Sequence, residues 1–162
     1  MILLGTGTPN AEPWASGPAV AVTVDDKAYL VDFGAGVVRQ CTKAFSMGIE
    51  QLNPRNLTVA FCTHLHSDHT TGLADLIFTP WVLTRNEPLK IYGPKGMKHM
   101  VDCISDAYKV DIDFRLHGDE QGNENGYKTD VTEIYNGYVY KDELVTVEAF
   151  TARHGTLECY SF

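Results

Sequence analysis

No stretch of this sequence is apolar for anything near the ~20 residues that a membrane-crossing helix needs. The opening Met1-Ile-Leu-Leu-Gly-Thr-Gly has neither the basic region nor the long apolar run of an export signal. A cytoplasmic location is therefore the expectation, with no membrane partner. Cysteines are few: Cys41, Cys62, Cys103 and Cys159, none in CxxC spacing. That excludes a zinc knuckle and a thioredoxin-like redox pair. Cys41, Cys62 and Cys103 lie among apolar residues and are expected as small buried hydrophobes. Positive charge is scarce too, with 13 Lys and Arg against 21 Asp and Glu and a formal net charge of −8. Proteins that grip DNA or RNA along its phosphates usually present a basic face, and here the basic residues are scattered. A small-molecule ester is the expected substrate, rather than a nucleic acid. There is no internal repeat, low-complexity tract or interdomain linker.

What is present is enough for one domain over residues 1–162, with a core burying roughly 70% of the unfolded surface. Hydrophobic content of 44% and charged content of 21% are ordinary for a globular chain. Ile2-Leu3-Leu4 reads as a short strand entering a glycine-rich turn. Segments 19–24 and 28–33 read as a hairpin around Asp25-Asp26-Lys27. The spacing of Val38, Cys41 and Phe45 predicts a helix that Gly48 ends. Residues 57–63 form a buried strand. A helix capped by Thr70 or Thr71 follows through Leu73, Leu76 and Ile77, with Pro80 ending or kinking it. Residues 89–92 are a further strand, and Met97, Val101, Ile104 and Tyr108 mark one face of another helix. Residues 117–127 are polar and form a loop. Strands near 129–135 and 138–140 precede a longer one, 144–152, which delivers Arg153-His154. Strands first, then strands alternating with helices, predict an α/β (α+β) sheet covered by helices on one face.

Three of the six histidines fall within His64-Leu65-His66-Ser67-Asp68-His69, directly after the 57–63 strand. Side chains two apart on extended backbone point the same way, so His64 and His66 can face one metal ion. A tight turn then brings Asp68 and His69 to a neighbouring position. Imidazole and carboxylate are the donors a divalent transition metal takes, and strand and helix supply rigid backbone. A polar loop holding histidines by chance accounts less well for motif, strand and helix together. His154, at a strand end, gains weight because the cluster lacks a third nitrogen donor for its first metal. His99 and His117 have no such context and read as structural.

The motif His64-x-His66-x-Asp68-His69, with its flanking elements, resembles the HxHxDH signature of the metallo-β-lactamase superfamily. Leu3-Leu4-Gly5-Thr6-Gly7-Thr8-Pro9, Tyr29-Leu30-Val31-Asp32-Phe33-Gly34 and Ile91-Tyr92-Gly93-Pro94-Lys95-Gly96 are similar to the subgroup of ribonuclease Z, cyclic-nucleotide phosphodiesterases and arylsulfatase-like hydrolases. The resemblance implies an αββα sandwich of two similar halves, of which this chain matches the N-terminal one. It also implies zinc, one or two ions, with iron or manganese as alternatives. By the resemblance His64, His66 and His154 match ligands of the first metal, and Asp68 and His69 those of the second. Asp32 matches an aspartate that steadies the site, although capping the Gly34–Gly36 turn would explain it equally well. In such enzymes a metal-activated hydroxide attacks the ester, and Asp68 orients that water and accepts its proton.

The family's bridging aspartate and final histidine normally follow the residue matched by His154. Only 155–162 follow it here, and nothing in the spacing of Glu158 makes it a substitute. The expectation is a C-terminally incomplete domain with an uncovered apolar sheet face, low activity alone, and either face-to-face self-association as a homodimer or partial disorder. The first functional expectation is a metal-dependent hydrolase of a phosphodiester, sulfate ester or similar small ester. The alternative is a ribonuclease Z-type tRNA 3′-processing endonuclease. Against it, Pro9-Asn10-Ala11-Glu12-Pro13-Trp14 stands where that group carries Pro-Thr-x-x-Arg-Asn. A non-catalytic metal-binding fragment and a mononuclear-iron dioxygenase complete the alternatives.

Overall fold

The computed structural model describes residues 1–162. Six strands form the first sheet in sequence order: β1 (Ile2–Gly5), β2 (Ala19–Val24), β3 (Lys27–Val31), β4 (Val59–Phe61), β5 (Leu89–Gly93) and β6 (Thr129–Glu133). β1, β2 and β3 pair antiparallel, and the two-residue turn Asp25-Asp26 requires it of β2 and β3. From β3 to β6 all pairs are parallel, because a helical crossover separates successive strands. One face of this sheet presents Ala19, Ala21, Ala28, Leu30, Ala60, Leu89 and Ile91 to the helices, in one cluster of 23 buried residues. Against it pack α1 (Val37–Ser46) through Val37, Val38, Cys41 and Ala44, α3 (Leu73–Val82) through Leu73, Leu76 and Ile77, and α4 (Met97–Ala107) through Met97 and Val101. α1 stops where the spacing predicted, because Gly48 takes φ +96, a conformation that costs a glycine little.

The second face of the sheet is met by three antiparallel strands, β7 (Gly137–Lys141), β8 (Thr146–Thr151) and β9 (Tyr160–Ser161). Val139, Tyr140, Val145, Val147 and Phe162 pack there on Tyr29, Val59 and Phe61. The expected bare face is thus partly covered by the chain's own C-terminal strands. Between the two sheets an apolar groove of about 460 Å³ remains, walled by Val22, Val31, Phe61, Val147, Phe150 and Phe162. No helix is long and apolar enough to cross a membrane.

Four local expectations need correction. Pro80 does not end α3, which runs on to Val82. Proline cannot donate to the carbonyl four residues back, Leu76, but buried Arg85 donates to that oxygen instead (3.1 Å) and to those of Ile77, Leu57 and Gly126. No threonine side chain caps α3; Gly72 precedes it, and the Thr70 hydroxyl donates to His66 O. After α4 comes a separate helix, α5 (Lys109–His117), ahead of the polar 117–127 stretch; it buries no side chain fully, but Ile112 and Leu116 pack half-buried against the core. Tyr108, at the junction, is turned outward and stacks on Phe78. Finally, Cys103 is exposed on the outer side of α4, two residues out of phase with buried Val101. Cys41 and Cys62 are buried as expected, and burial alone pushes the Cys41 thiol up to about 12.

Candidate metal centre

Because β3, β4 and β5 run parallel, their C-terminal ends lie along one edge, where open α/β sheets gather their ligands. Asp32 follows β3, and 62–69 follow β4. The chain leaves the sheet at buried Cys62, whose thiol donates to His64 O. His66 remains extended (φ −64°, ψ 146°), so it shares a side with His64. The single helical turn α2 (Ser67–Thr70) then swings Asp68 and His69 back toward the sheet. This turn fits tightly: a Cβ on Gly34 would stand 2.5 Å from the Asp68 carbonyl oxygen, so only glycine serves there.

Asp32 is buried and holds φ +60, a left-handed conformation that costs a non-glycine residue. Its carboxylate accepts from Thr63 N (2.8 Å), from Thr63 Oγ1 (2.9 and 3.0 Å) and from His69 Nδ1 (2.8 Å). These bonds offset the strain. They also give Asp32 work beyond capping the Gly34–Gly36 turn.

His64 Nε2 lies 3.1 Å from His66 Nδ1, which lies 3.2 Å from His154 Nε2. The three donor atoms fall within 4.8 Å of one another. Tetrahedral zinc with nitrogen ligands at about 2.0–2.1 Å requires neighbouring nitrogens about 3.3 Å apart, a spacing that the His64–His66 and His66–His154 pairs approach. Burial, then the charge of His69, holds the His64 ring below the usual histidine range against the opposing charge of Asp32, which favours the neutral ligating form. Beside this trio, Asp68 Oδ2 stands 3.6 Å from His69 Nε2, the nitrogen that Asp32 leaves free.

His154 comes from the second sheet, in the loop after β8. That loop is closed by Leu157 N donating to His154 O and Ala152 N donating to Cys159 O. Tyr160 N then donates to Thr63 O (2.9 Å), stitching the tail to the residue before the histidine motif. Thr63 and Tyr160 escaped the sequence reading. Thr63's place between a buried strand and the first histidine was the available signal. Glu158 accepts from the Tyr160 hydroxyl (2.6 Å). His99 contacts Cys103 and His117 contacts Asp113, each within its own helix.

Residues 13–128 match the metallo-beta-lactamase superfamily. The ribonuclease Z of Mycobacterium avium (strain 104) is 33% identical over 157 residues, 94% of this chain and 53% of that protein. The ribonuclease Z of Mycobacterium marinum is 36% identical over 117 residues, 70% of this chain and 40% of that protein. The chain thus spans about half the length, or less, of these curated relatives. Among solved structures, human tRNase Z, short form, superposes with a TM-score of 0.72 at 26% identity, over 96% of this chain and 60% of that one. The metallo-beta-lactamase fold protein YhfI from Bacillus subtilis shares the fold (TM-score 0.66, 16% identity, 98% of this chain and 55% of that one). With the family match running across most of its length and the histidine motif at the sheet edge, this chain belongs to the metallo-β-lactamase superfamily of hydrolases.

Proposed function

We propose that the chain carries the metal site of a ribonuclease Z-type phosphodiesterase, an endonuclease acting at tRNA 3′ ends. The observation that supports this most is the convergence of His64 Nε2, His66 Nδ1 and His154 Nε2, with Asp68 and His69 beside them. The ribonuclease Z relatives, one aligned along 94% of the chain, favour this substrate over the small ester that the acidic composition pointed to. Net charge is an average over the whole surface, and relatives aligned residue by residue carry more weight.

On this reading His64, His66 and His154 hold the first ion, and Asp68 and His69 contribute to a second. A divalent ion bound there supplies an acidified water and neutralises charge on the attacked group. Asp68 orients the attacking water and takes its proton. Asp32 holds His69 by its Nδ1, so that its Nε2 faces the site. Zinc is the ion the nitrogen-rich donor set favours.

One observation favours the small-ester reading. The polar cavity of about 370 Å³ that Asp68 shares with Thr8, Asn10, Glu12, Ser67 and Thr71 has no lysine or arginine in its lining. The test is to load the chain with zinc and offer it a pre-tRNA with a 3′ trailer, bis-p-nitrophenyl phosphate and p-nitrophenyl sulfate. Cleavage of the pre-tRNA, slow for this chain alone and lost in His64→Ala, is expected. Turnover confined to the small esters would replace this reading with the second. Bound zinc without turnover of any of the three would reduce the chain to a metal-binding fragment.

A further inference from the structure

We propose that Thr63 is a positioning residue for the whole metal site, acting by dictating which ring nitrogen of His64 carries the proton. The argument is a count of donors and acceptors. The Asp32 carboxylate offers only acceptors. The Thr63 hydroxyl, 2.9 and 3.0 Å from its two oxygens, must therefore spend its one proton on Asp32. What Thr63 Oγ1 has left are lone pairs, and His64 Nδ1 lies 2.8 Å away. That nitrogen has to be the donor. The neutral His64 ring then has its lone pair on Nε2, the atom that faces His66 Nδ1 and the metal position. Without this neighbour a histidine ring distributes its proton between both nitrogens, and the form protonated on Nε2 cannot ligate through that atom.

The same carboxylate takes Nδ1–H of His69 directly and leaves that ring's Nε2 free beside Asp68. One buried acid thus orients a ring in each subsite, one by direct contact and one through a hydroxyl. The backbone of Thr63 extends the arrangement to the third donor. Its N–H donates to Asp32 Oδ1, and its carbonyl accepts from Tyr160 N, in the tail that closes the His154 loop. His64 and His69 are therefore linked directly to Thr63 or to the carboxylate it engages, and the His154 loop is linked through Tyr160.

The chemistry required is a hydroxyl, not a threonine as such. Thr63→Ser keeps it, and Thr63→Val removes it at nearly constant shape. Two measurements on the whole chain decide the matter. Two-bond nitrogen–proton NMR on the metal-free protein reads the ring tautomer: His64 is expected as the Nδ1–H form in the parent and in Thr63→Ser, and as a mixture in Thr63→Val. Zinc titration reads the consequence. Thr63→Val should bind zinc 10- to 100-fold more weakly, and Thr63→Ser within about threefold of the parent, the scale found for outer-shell partners of metal-binding histidines. A parent His64 protonated on Nε2 overturns the proposal, as does Thr63→Val binding zinc as tightly as the parent. Equal losses in both variants overturn it too, since a side chain that keeps the hydroxyl would then fare no better than one that lacks it. The proposal rests on the site's being a metal site, but the tautomer is read without metal. A parent that binds no zinc defeats the metal reading, while the NMR result still decides the role of Thr63. Should the valine variant not fold, the parent tautomer and the serine variant decide.

Discussion

The two sheets of this molecule are built from similar apolar residues, yet they are held in different ways. The first sheet has helices over one face and a cluster of 23 buried side chains beneath them. The second has three short strands, and its contacts with the first are mostly half-buried: Val139, Tyr140, Val145, Val147 and Phe162 lie around two small buried groups, Tyr29, Val59 and Phe61, and Ile134, Ala149 and Tyr160. Where the first sheet is fixed by packing, the second is fixed largely by a polar pin. Asp142, in the β7–β8 turn, accepts from the Tyr29 hydroxyl (2.7 Å) on β3, the Tyr140 hydroxyl (2.8 Å) and the N–H groups of Leu144 and Val145 (both 2.9 Å). The candidate metal site straddles this divide. His64, His66, Asp68 and His69 stand on the well-packed sheet, and His154 arrives from the other. Rigidity of the donor set therefore depends on the weaker half.

The sharpest way to break the comparison is through the metal. Replacing His64 and His66 together by alanine should abolish stoichiometric zinc binding, because both donors from the rigid sheet are removed. His154→Ala takes away only the donor of the second sheet, and should weaken zinc without abolishing it. Metal analysis after dialysis measures both. Full zinc retention in the double variant would show that the ion sits elsewhere.

Next comes the difference in packing itself. Ile91 is fully buried on β5 and Val147 half-buried on β8. Ile91→Ala should cost about 2–5 kcal/mol, the usual range for truncating a fully buried aliphatic. Val147→Ala should cost about 1 kcal/mol, since it removes less chain from a contact that is only half formed. Urea unfolding gives both values. Equal losses would mean the second sheet is as well packed as the first.

The same divide explains what the sequence made legible. The histidine motif is local, read along one strand and one turn, so four donors could be named without a structure. His154 is 88 residues from His66, and only the missing third nitrogen donor and the family resemblance pointed to it. The strands of the first sheet were readable because each is a short apolar run flanked by turn residues. Thr63 was not, because its importance lies in the direction of one hydroxyl. That α3 runs two residues past Pro80 was illegible for a related reason: the arginine that takes over the freed carbonyl of Leu76 is close in sequence, but nothing in its type announces it. Cys103 misled because apolar neighbours in sequence do not set the phase of a helix. Coverage of the inner face was missed because β7 to β9 are too short and too mixed in polarity to announce which face they pack on.

The most localised effect expected belongs to the polar pin. Burial of Asp142 works to raise its carboxyl, but the hydrogen bonds from Tyr29, from the N–H groups of Val145 and Leu144 and from Tyr140 outweigh it and hold the group well below the usual carboxylate range. A carboxylate whose folded value is depressed stabilises the fold above its unfolded value, about 3.9, and loses that contribution as pH falls through the lower folded value. Acid below about pH 4 should therefore loosen the second sheet before the first. Asp142→Asn keeps the shape but weakens the acceptor, and should cost about 1–3 kcal/mol at neutral pH, the scale of a hydrogen bond to a charged group. It should also flatten the stability curve below pH 4. Amide exchange localises the effect: Val147 and Ala149 should lose protection in the variant, while Leu30 and Ile91 keep theirs. If both sheets lost protection together, the pin would be holding the whole domain, and the division drawn between the two sheets would fail.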